Sequence, residues 1–144
     1  MEPAQFAQVG VLSPNPATKR AQRVKWCLKP QPEGSQEKII AFGAQKNLVL
    51  KDLINPKNSK LYGLLVEGNV TSVKYSPNGN YIAFGDDKGA FKVIGWSAAE
   101  NDFIVKYENS SLFGGAILDI AWADDNQKVV AVGAGNARAA AINI

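Results

Sequence analysis

The chain has 144 residues, 46% of them hydrophobic and 20% charged, which is the length of one ordinary domain with ample apolar material for a core. Histidine is absent and cysteine occurs once, which excludes histidine acid–base catalysis, serine–histidine triads, zinc sites of the usual kinds and an internal disulfide. The net charge of +3 comes from scattered lysines, with only Lys19, Arg20, Arg23 and Lys25 grouped, so the concentrated footprint of a nucleic-acid surface is missing.

Residues 1–22 carry Pro3, Pro14 and Pro16, which argue against a long helix; Phe6 to Leu12 reads as one short strand and Asn15-Pro16 as a turn. This opening has neither a basic leader nor a sustained apolar run, and no stretch approaches the roughly 18 apolar residues of a membrane span. A cytoplasmic chain with no membrane partner is therefore expected. From Arg23 the strands come in groups. Arg23–Lys29, Lys38–Phe42, Asn47–Leu53 and Lys60–Val66 form a first sheet within residues 23–68. Val70–Tyr75, Tyr81–Phe84, Ala90–Ile94 and Phe103–Tyr107 form a second within 69–109. Ile117–Trp122, Lys128–Val132 and Arg138–Ile144 form an incomplete third within 110–144.

Two of these groups repeat one another. VTSVKYSPNGNYIAFGD at 70–86 and ILDIAWADDNQKVVAVG at 117–133 each hold an alternating apolar strand ending in an aromatic residue, a polar turn, and a second apolar strand closed by glycine. A fainter copy carries Val24-Lys25-Trp26 and Ile39-Ile40-Ala41-Phe42-Gly43. The closing glycines, 43, 85 and 133, lie 42 and 48 residues apart. One four-stranded sheet every ~40–45 residues is the signature of a WD40-type β-propeller blade. The expected fold is all-β, with about two and three-quarter four-stranded antiparallel sheets, too few to close a ring of roughly four to eight blades. Each blade buries its apolar face only against a neighbour, so two open flanks are expected. Three explanations stand side by side: part of a longer protein, closure by self-association through the open blade edges, or a truncated product of marginal stability.

Three pieces of the chain resemble the amino-terminal repeats of the actin-interacting protein 1 family, WD-repeat cofactors of cofilin. They are Leu12-Ser13-Pro14 with Thr18-Lys19-Arg20-Ala21-Gln22, the run Val73 to Asp86, and Lys106-Tyr107-Glu108 followed by Gly115 and Ile117-Leu118-Asp119-Ile120-Ala121-Trp122. The Ser-Pro-Asn-Gly turn is generic to WD repeats, whereas the KYE, DIAW and VAVG series is more specific. The resemblance implies a cytoskeleton-associated protein that binds actin filaments and cofilin and promotes filament disassembly. The chain also departs from the pattern. Ile94-Gly95 stands where a WD repeat has Trp-Asp, the first blade keeps only the acid at Asp52, and Glu67-Gly68-Asn69 replaces the usual Gly-His. With no histidine, the buried Asp–His–Ser/Thr–Trp chain of strong WD blades cannot form. The loop 133–138 holds no acid where relatives carry acidic residues.

No enzyme constellation emerges, and neither a cofactor nor a metal is expected. Gly133-x-Gly135 follows an apolar strand, but Arg138 takes the sixth position of a dinucleotide fingerprint and no βαβ unit fits behind it. Asp86-Asp87 and Asp124-Asp125 lack the six or more oxygen ligands of a calcium loop. What remains is protein binding by loops that share one propeller face: 67–69, 86–89, 112–115 and 133–138. The candidate binding residues are Glu67, Asn69, Asp86, Asp87, Lys88, Phe113, Asn136 and Arg138. Phe113 is either an exposed aromatic anchor or buried under the blade junction. The acidic loop is either a contact or a solvated tight turn. The alternatives to an actin role are a generic WD-repeat scaffold and a remnant without independent activity.

Overall fold

Apolar residues alternate along the strands with period two, so each sheet has two faces with different fates. In a computed structural model, residues 26–30, 34, 37–63, 67–135 and 138–144 are described. The leading strand and connection expected over 1–22, and the basic group from Lys19 to Lys25, lie outside them. Strands β1 (Trp26–Leu28), β2 (Ile39–Ala44), β3 (Asn47–Asp52) and β4 (Lys60–Tyr62) make the first sheet, with a 3-10 turn at Pro56–Asn58. Strands β5 (Val70–Tyr75), β6 (Tyr81–Asp86), β7 (Phe91–Ser97) and β8 (Asp102–Asn109) make the second; β9 (Ile117–Trp122), β10 (Lys128–Gly133) and β11 (Ala139–Asn143) make the third. Every pairing is antiparallel between sequence neighbours, in the order β1-β2-β3-β4, β5-β6-β7-β8 and β9-β10-β11. The three sheets do not close a ring.

The sheets stack face to face through two apolar layers. Ala41, Leu48 and Leu50 of the first sheet meet Val70, Val73, Ile82 and Phe84 of the second. Ala83, Phe91 and Val93, on the opposite face of that second sheet, meet Ile117, Ile120, Val129 and Ala131 of the third. The second sheet is thus buried on both faces, which is why Ile82-Ala83-Phe84 is an unbroken apolar run. The flanks differ. On the far face of the first sheet Ile40 and Phe42 are each 3% exposed, whereas on the far face of the third Leu118, Val130 and Val132 are 52%, 40% and 38% exposed.

Strand register corrects one detail of the repeat. Gly43 pairs with Leu48 and Gly85 with Phe91, and both lie inside their strands. In the third sheet the matching position, opposite the start of β11, is Val132, while Gly133 matches Asp86. Both β5–β6 and β9–β10 carry a bulge here, so the two repeats stay in the same register and the closing glycine of the third lies one residue beyond the position of Gly85. The two in-strand glycines let the next sheet in. A Cβ on Gly43 would lie 2.7 Å from Val70 Cβ, and one on Gly85 would lie 2.7 Å from Ile117 Cβ.

Polar contacts lock the same interfaces. The Val70 N–H donates to the Gln45 carbonyl at 2.8 Å. The Thr71 hydroxyl donates to the Ile117 carbonyl at 2.6 Å, the Trp122 indole N–H to the Lys74 carbonyl at 3.2 Å, and the Asn78 N–H to Asn126 Oδ1 at 2.8 Å. Tyr81 stacks on Trp122 with ring centroids 5.9 Å apart. Gly95 makes room for that ring, since a Cβ there would lie 2.8 Å from it, which is a physical reason for glycine where WD repeats carry a larger residue.

Substituting Gly85→Val is expected to cost about 1–3 kcal/mol by overpacking the second interface. Gly114→Ala, facing open space, should stay within ~0.5 kcal/mol. Urea unfolding followed by circular dichroism measures both.

Candidate protein-interaction face

The loops expected to share a face do meet at one end of the strands. The Asn69 N–H donates to Asp87 Oδ1 at 3.1 Å and the Asp87 N–H returns a bond to the Asn69 carbonyl at 3.0 Å. The Asn69 amide adds a bond to Asp87 Oδ2 at 3.3 Å. The Phe113 N–H donates to the Gly89 carbonyl at 3.2 Å, which ties the β8–β9 connection to the β6–β7 turn. The Gly133 N–H reaches the Arg138 carbonyl at 3.1 Å and the Ala134 N–H the Ala116 carbonyl at 2.9 Å, bringing in the β10–β11 turn. Loops 67–69, 86–89 and 112–116, with Gly133, Ala134 and Arg138, therefore form one cluster.

Within the cluster the eight candidate residues divide. Glu67, Asp87, Lys88 and Arg138 are exposed and Asn69 is half-buried. Asp86, expected among the exposed charges of its turn, is 0% exposed. Its Oδ2 accepts the Gly68 N–H at 2.6 Å, and its Oδ1 accepts the N–H groups of Lys88 at 3.0 Å and Ala90 at 2.8 Å. Three backbone donors satisfy this carboxylate, so it joins the entrance of β5 to the β6–β7 turn. Phe113 is 3% exposed, which answers the question left open for it: it packs in the second apolar layer. A Cβ on Gly133 would lie 2.7 Å from the Phe113 ring, so the ring covers the position where the second sheet has Asp86. Asn136 lies outside the described residues.

The missing histidine has a local trace. Ser72, buried at the β5 bulge, has a hydroxyl with no hydrogen-bond partner among the described residues. The carboxylate of Asp86 instead finds its partners in the backbone.

A second polar cluster, which the sequence did not reveal, joins the outer strands of the first two sheets. The Tyr62 hydroxyl donates to Asp102 Oδ1 at 2.5 Å and Lys60 Nζ lies 3.3 Å from the same oxygen. Phe103 stands edge-on to both Tyr62 and Trp96, and Lys60 lies 5.4 Å from the Trp96 ring centroid. The bond from Tyr62, then the Phe103 N–H, holds the Asp102 carboxyl below its usual range. Burial, then the bond to Asp102, pushes the Tyr62 phenol up. In the first sheet, the buried Asp52 caps the turn after β3 by accepting the N–H groups of Ile54 and Asn55, each at 2.9 Å. The Asn55 bond is the main cause of its lowered pKa.

Among the described residues no group of three or more His, Cys, Asp or Glu side chains could hold a metal ion, and no helix is long and apolar enough to cross a membrane. What the face offers is an exposed set of mixed charge on a frame of buried backbone bonds.

Solved structures share the architecture. A chain in the complex of KlAtg21 with the coiled coil of AgAtg16 matches with a TM-score of 0.59 at 18% identity, over 76% of this chain and 36% of that one. A chain of the COPII outer coat vertex on membranes matches at 0.55 and 14% identity, over 76% and 31%. At such identities the likeness defines the fold alone: an open run of WD40-type β-propeller blades. No family model matches the chain. It is 32% identical over 133 residues to the 66 kDa stress protein of Physarum polycephalum, covering 92% of this chain and 21% of that protein. It is 30% identical over 139 residues to actin-interacting protein 1 of Drosophila melanogaster, covering 95% and 21%. It is 31% identical over 115 residues to WD repeat-containing protein 1-B of Xenopus laevis, covering 74% and 18%. The chain is a member of the WD-repeat family, with actin-interacting protein 1 among its homologues, and spans about a fifth of the length of these curated relatives.

Asp86→Ala strips the acceptor from two buried N–H groups and a third that is partly buried, and should cost about 2–4 kcal/mol, whereas Ser72→Ala, which removes an unpaired hydroxyl, should be neutral or stabilising by up to ~1 kcal/mol. Denaturant midpoints decide both. In acid, Asp52 and Asp102 hold their full contribution above the ordinary carboxylate value of 3.8 and give it up as pH falls from there through their lower folded values. Tyr62 holds its contribution below pH 10.0 and gives it up as pH rises from there through its higher folded value. Melting temperatures across pH should therefore fall off at both ends, and Tyr62→Phe should remove the alkaline component.

Proposed function

We propose that the chain is a non-enzymatic WD-repeat interaction module that binds actin filaments and cofilin and promotes filament disassembly, as a short version or piece of a longer architecture. The observation that carries this reading is 30% identity over 95% of the chain to actin-interacting protein 1 of Drosophila melanogaster, together with the run of WD-type antiparallel sheets. The contact face is the loop cluster, with Glu67, Asn69, Asp87, Lys88 and Arg138 touching the partner. Asp86 and Phe113 hold the loops from beneath. An exposed set with both signs of charge suits a charged partner surface, where complementary potentials set orientation and association rate. The module works in the cytoplasm, on the cytoskeleton.

Co-sedimentation with cofilin-decorated actin filaments tests the reading. The intact chain should pellet with the filaments and speed their disassembly. The reversal Lys88→Glu should weaken binding about tenfold, or 1.4 kcal/mol, while leaving the melting curve unchanged. A folded chain that neither pellets nor alters disassembly, yet reproducibly retains a different partner, would make it a scaffold of another assembly.

A further inference from the structure

The turns that join the second strand of each sheet to the third lie at the same end as the loop cluster, and each holds one basic residue. These are Lys46 in the β2–β3 turn, Lys88 in the β6–β7 turn and Arg138 in the β10–β11 turn. All three are exposed. Backbone bonds fix the order of the turns. The Gln45 carbonyl, next to Lys46, accepts the Val70 N–H, and the Asn69 carbonyl accepts the Asp87 N–H. The Gly89 carbonyl accepts the Phe113 N–H, and the Ala116 carbonyl the Ala134 N–H. The three cations therefore follow one another from the first sheet to the third, one per sheet. Packed sheets stand about 10 Å apart, which sets the step of the row.

The row is not consumed within the chain. Among the described residues ion pairs join Lys29 to Glu37, Lys60 to Asp102 and Lys92 to Glu108, and none includes a member of the row. The acids of the middle turn are already engaged. Asp86 is buried and accepts three N–H groups, and Asp87 accepts the backbone and side-chain N–H groups of Asn69. This end therefore holds out a spaced set of cationic donors, two ammonium groups and a guanidinium.

The spacing selects the partner. A nucleic-acid strand carries a negative charge about every 3.4 Å, so a phosphate backbone would crowd several charges onto each step of the row. It would also press them against the exposed Glu67, which stands beside the middle turn because the Gly68 N–H is bonded to Asp86. A polypeptide in the polyproline II conformation makes one turn in three residues and rises about 9 Å in doing so. Carboxylates at every third position then line one side of the segment and meet the cations one for one. Uncharged residues between them pass over Glu67. Such complementarity fixes register and speeds encounter.

Given the loop cluster as the contact face proposed above, we infer that Lys46, Lys88 and Arg138 bind an extended acidic protein segment with a carboxylate at about every third residue. Fluorescence anisotropy with a labelled peptide of repeated Glu-Pro-Ser tests this. The full chain should bind it, less tightly as salt rises, and should leave a Lys-Pro-Ser repeat free. Lys46→Glu, Lys88→Glu and Arg138→Glu should each weaken binding about tenfold. Lys106→Glu makes the same charge change on the exposed face of β8, away from the row, and should alter binding by less than about twofold. Melting curves establish that each variant is folded. A wild-type chain that ignores the Glu-Pro-Ser repeat overturns the inference, as do three reversals without effect or a Lys106→Glu as damaging as they are. So does tighter binding of a single-stranded DNA of equal length, which would make the row a phosphate surface. A chain that binds the peptide but no filaments loses the filament reading and keeps this one. A chain that pellets with filaments yet ignores the peptide loses this one alone.

Discussion

Everything in this molecule depends on how closely one sheet can approach the next. The distance is set at a single backbone position on the second strand, where glycine admits the first residue of the following sheet. Both Gly43 and Gly85 occupy that position. Because protein interiors are close-packed, a missing side chain at one point lets whole layers of leucine, phenylalanine and valine come into contact around it. The hydrogen bonds from Val70 to Gln45 and from Thr71 to Ile117 sit beside these contacts, and they would be out of reach if the sheets stood a methyl group further apart.

The buried carboxylate of Asp86 solves a different problem. The chain must leave the first sheet, cross to the second and begin a strand without stranding its N–H groups at the junction. Here one carboxylate collects the N–H groups of Gly68, Lys88 and Ala90. The third sheet does without even that: glycine replaces the acid and the Phe113 ring covers it. Polar bonding at one junction and apolar burial at the next serve the same geometry, which is why the blades can differ so much in sequence.

Much of this was legible from residues alone. Period-two alternation located the eleven strands of the described part, and the repeat announced antiparallel sheets of a propeller. Strand ends were less legible: β6 runs through Gly85 to Asp86, and β10 through to Gly133, because a bulge shifts the register and leaves no mark in composition. The loop cluster was placed correctly, but Asp86-Asp87 looks like a solvated turn, and nothing local says that one acid faces inward and the other outward. Phe113 posed the same difficulty, since burial under a junction depends on Gly89 and Gly133, both distant in sequence. The Tyr62–Asp102 contact joins residues 40 apart through two outer strands, a pairing no local pattern encodes.

The placement of the loop cluster at one end of the strands has a mechanical consequence. Each turn is tied by a backbone hydrogen bond to a turn from another strand pair: Asp87 to Asn69, Phe113 to Gly89 and Ala134 to Ala116. Segments joined in this way open together rather than singly. Loosening one turn therefore displaces its neighbours, and the exposed side chains of the cluster keep their spacing only while the whole chain of bonds is closed.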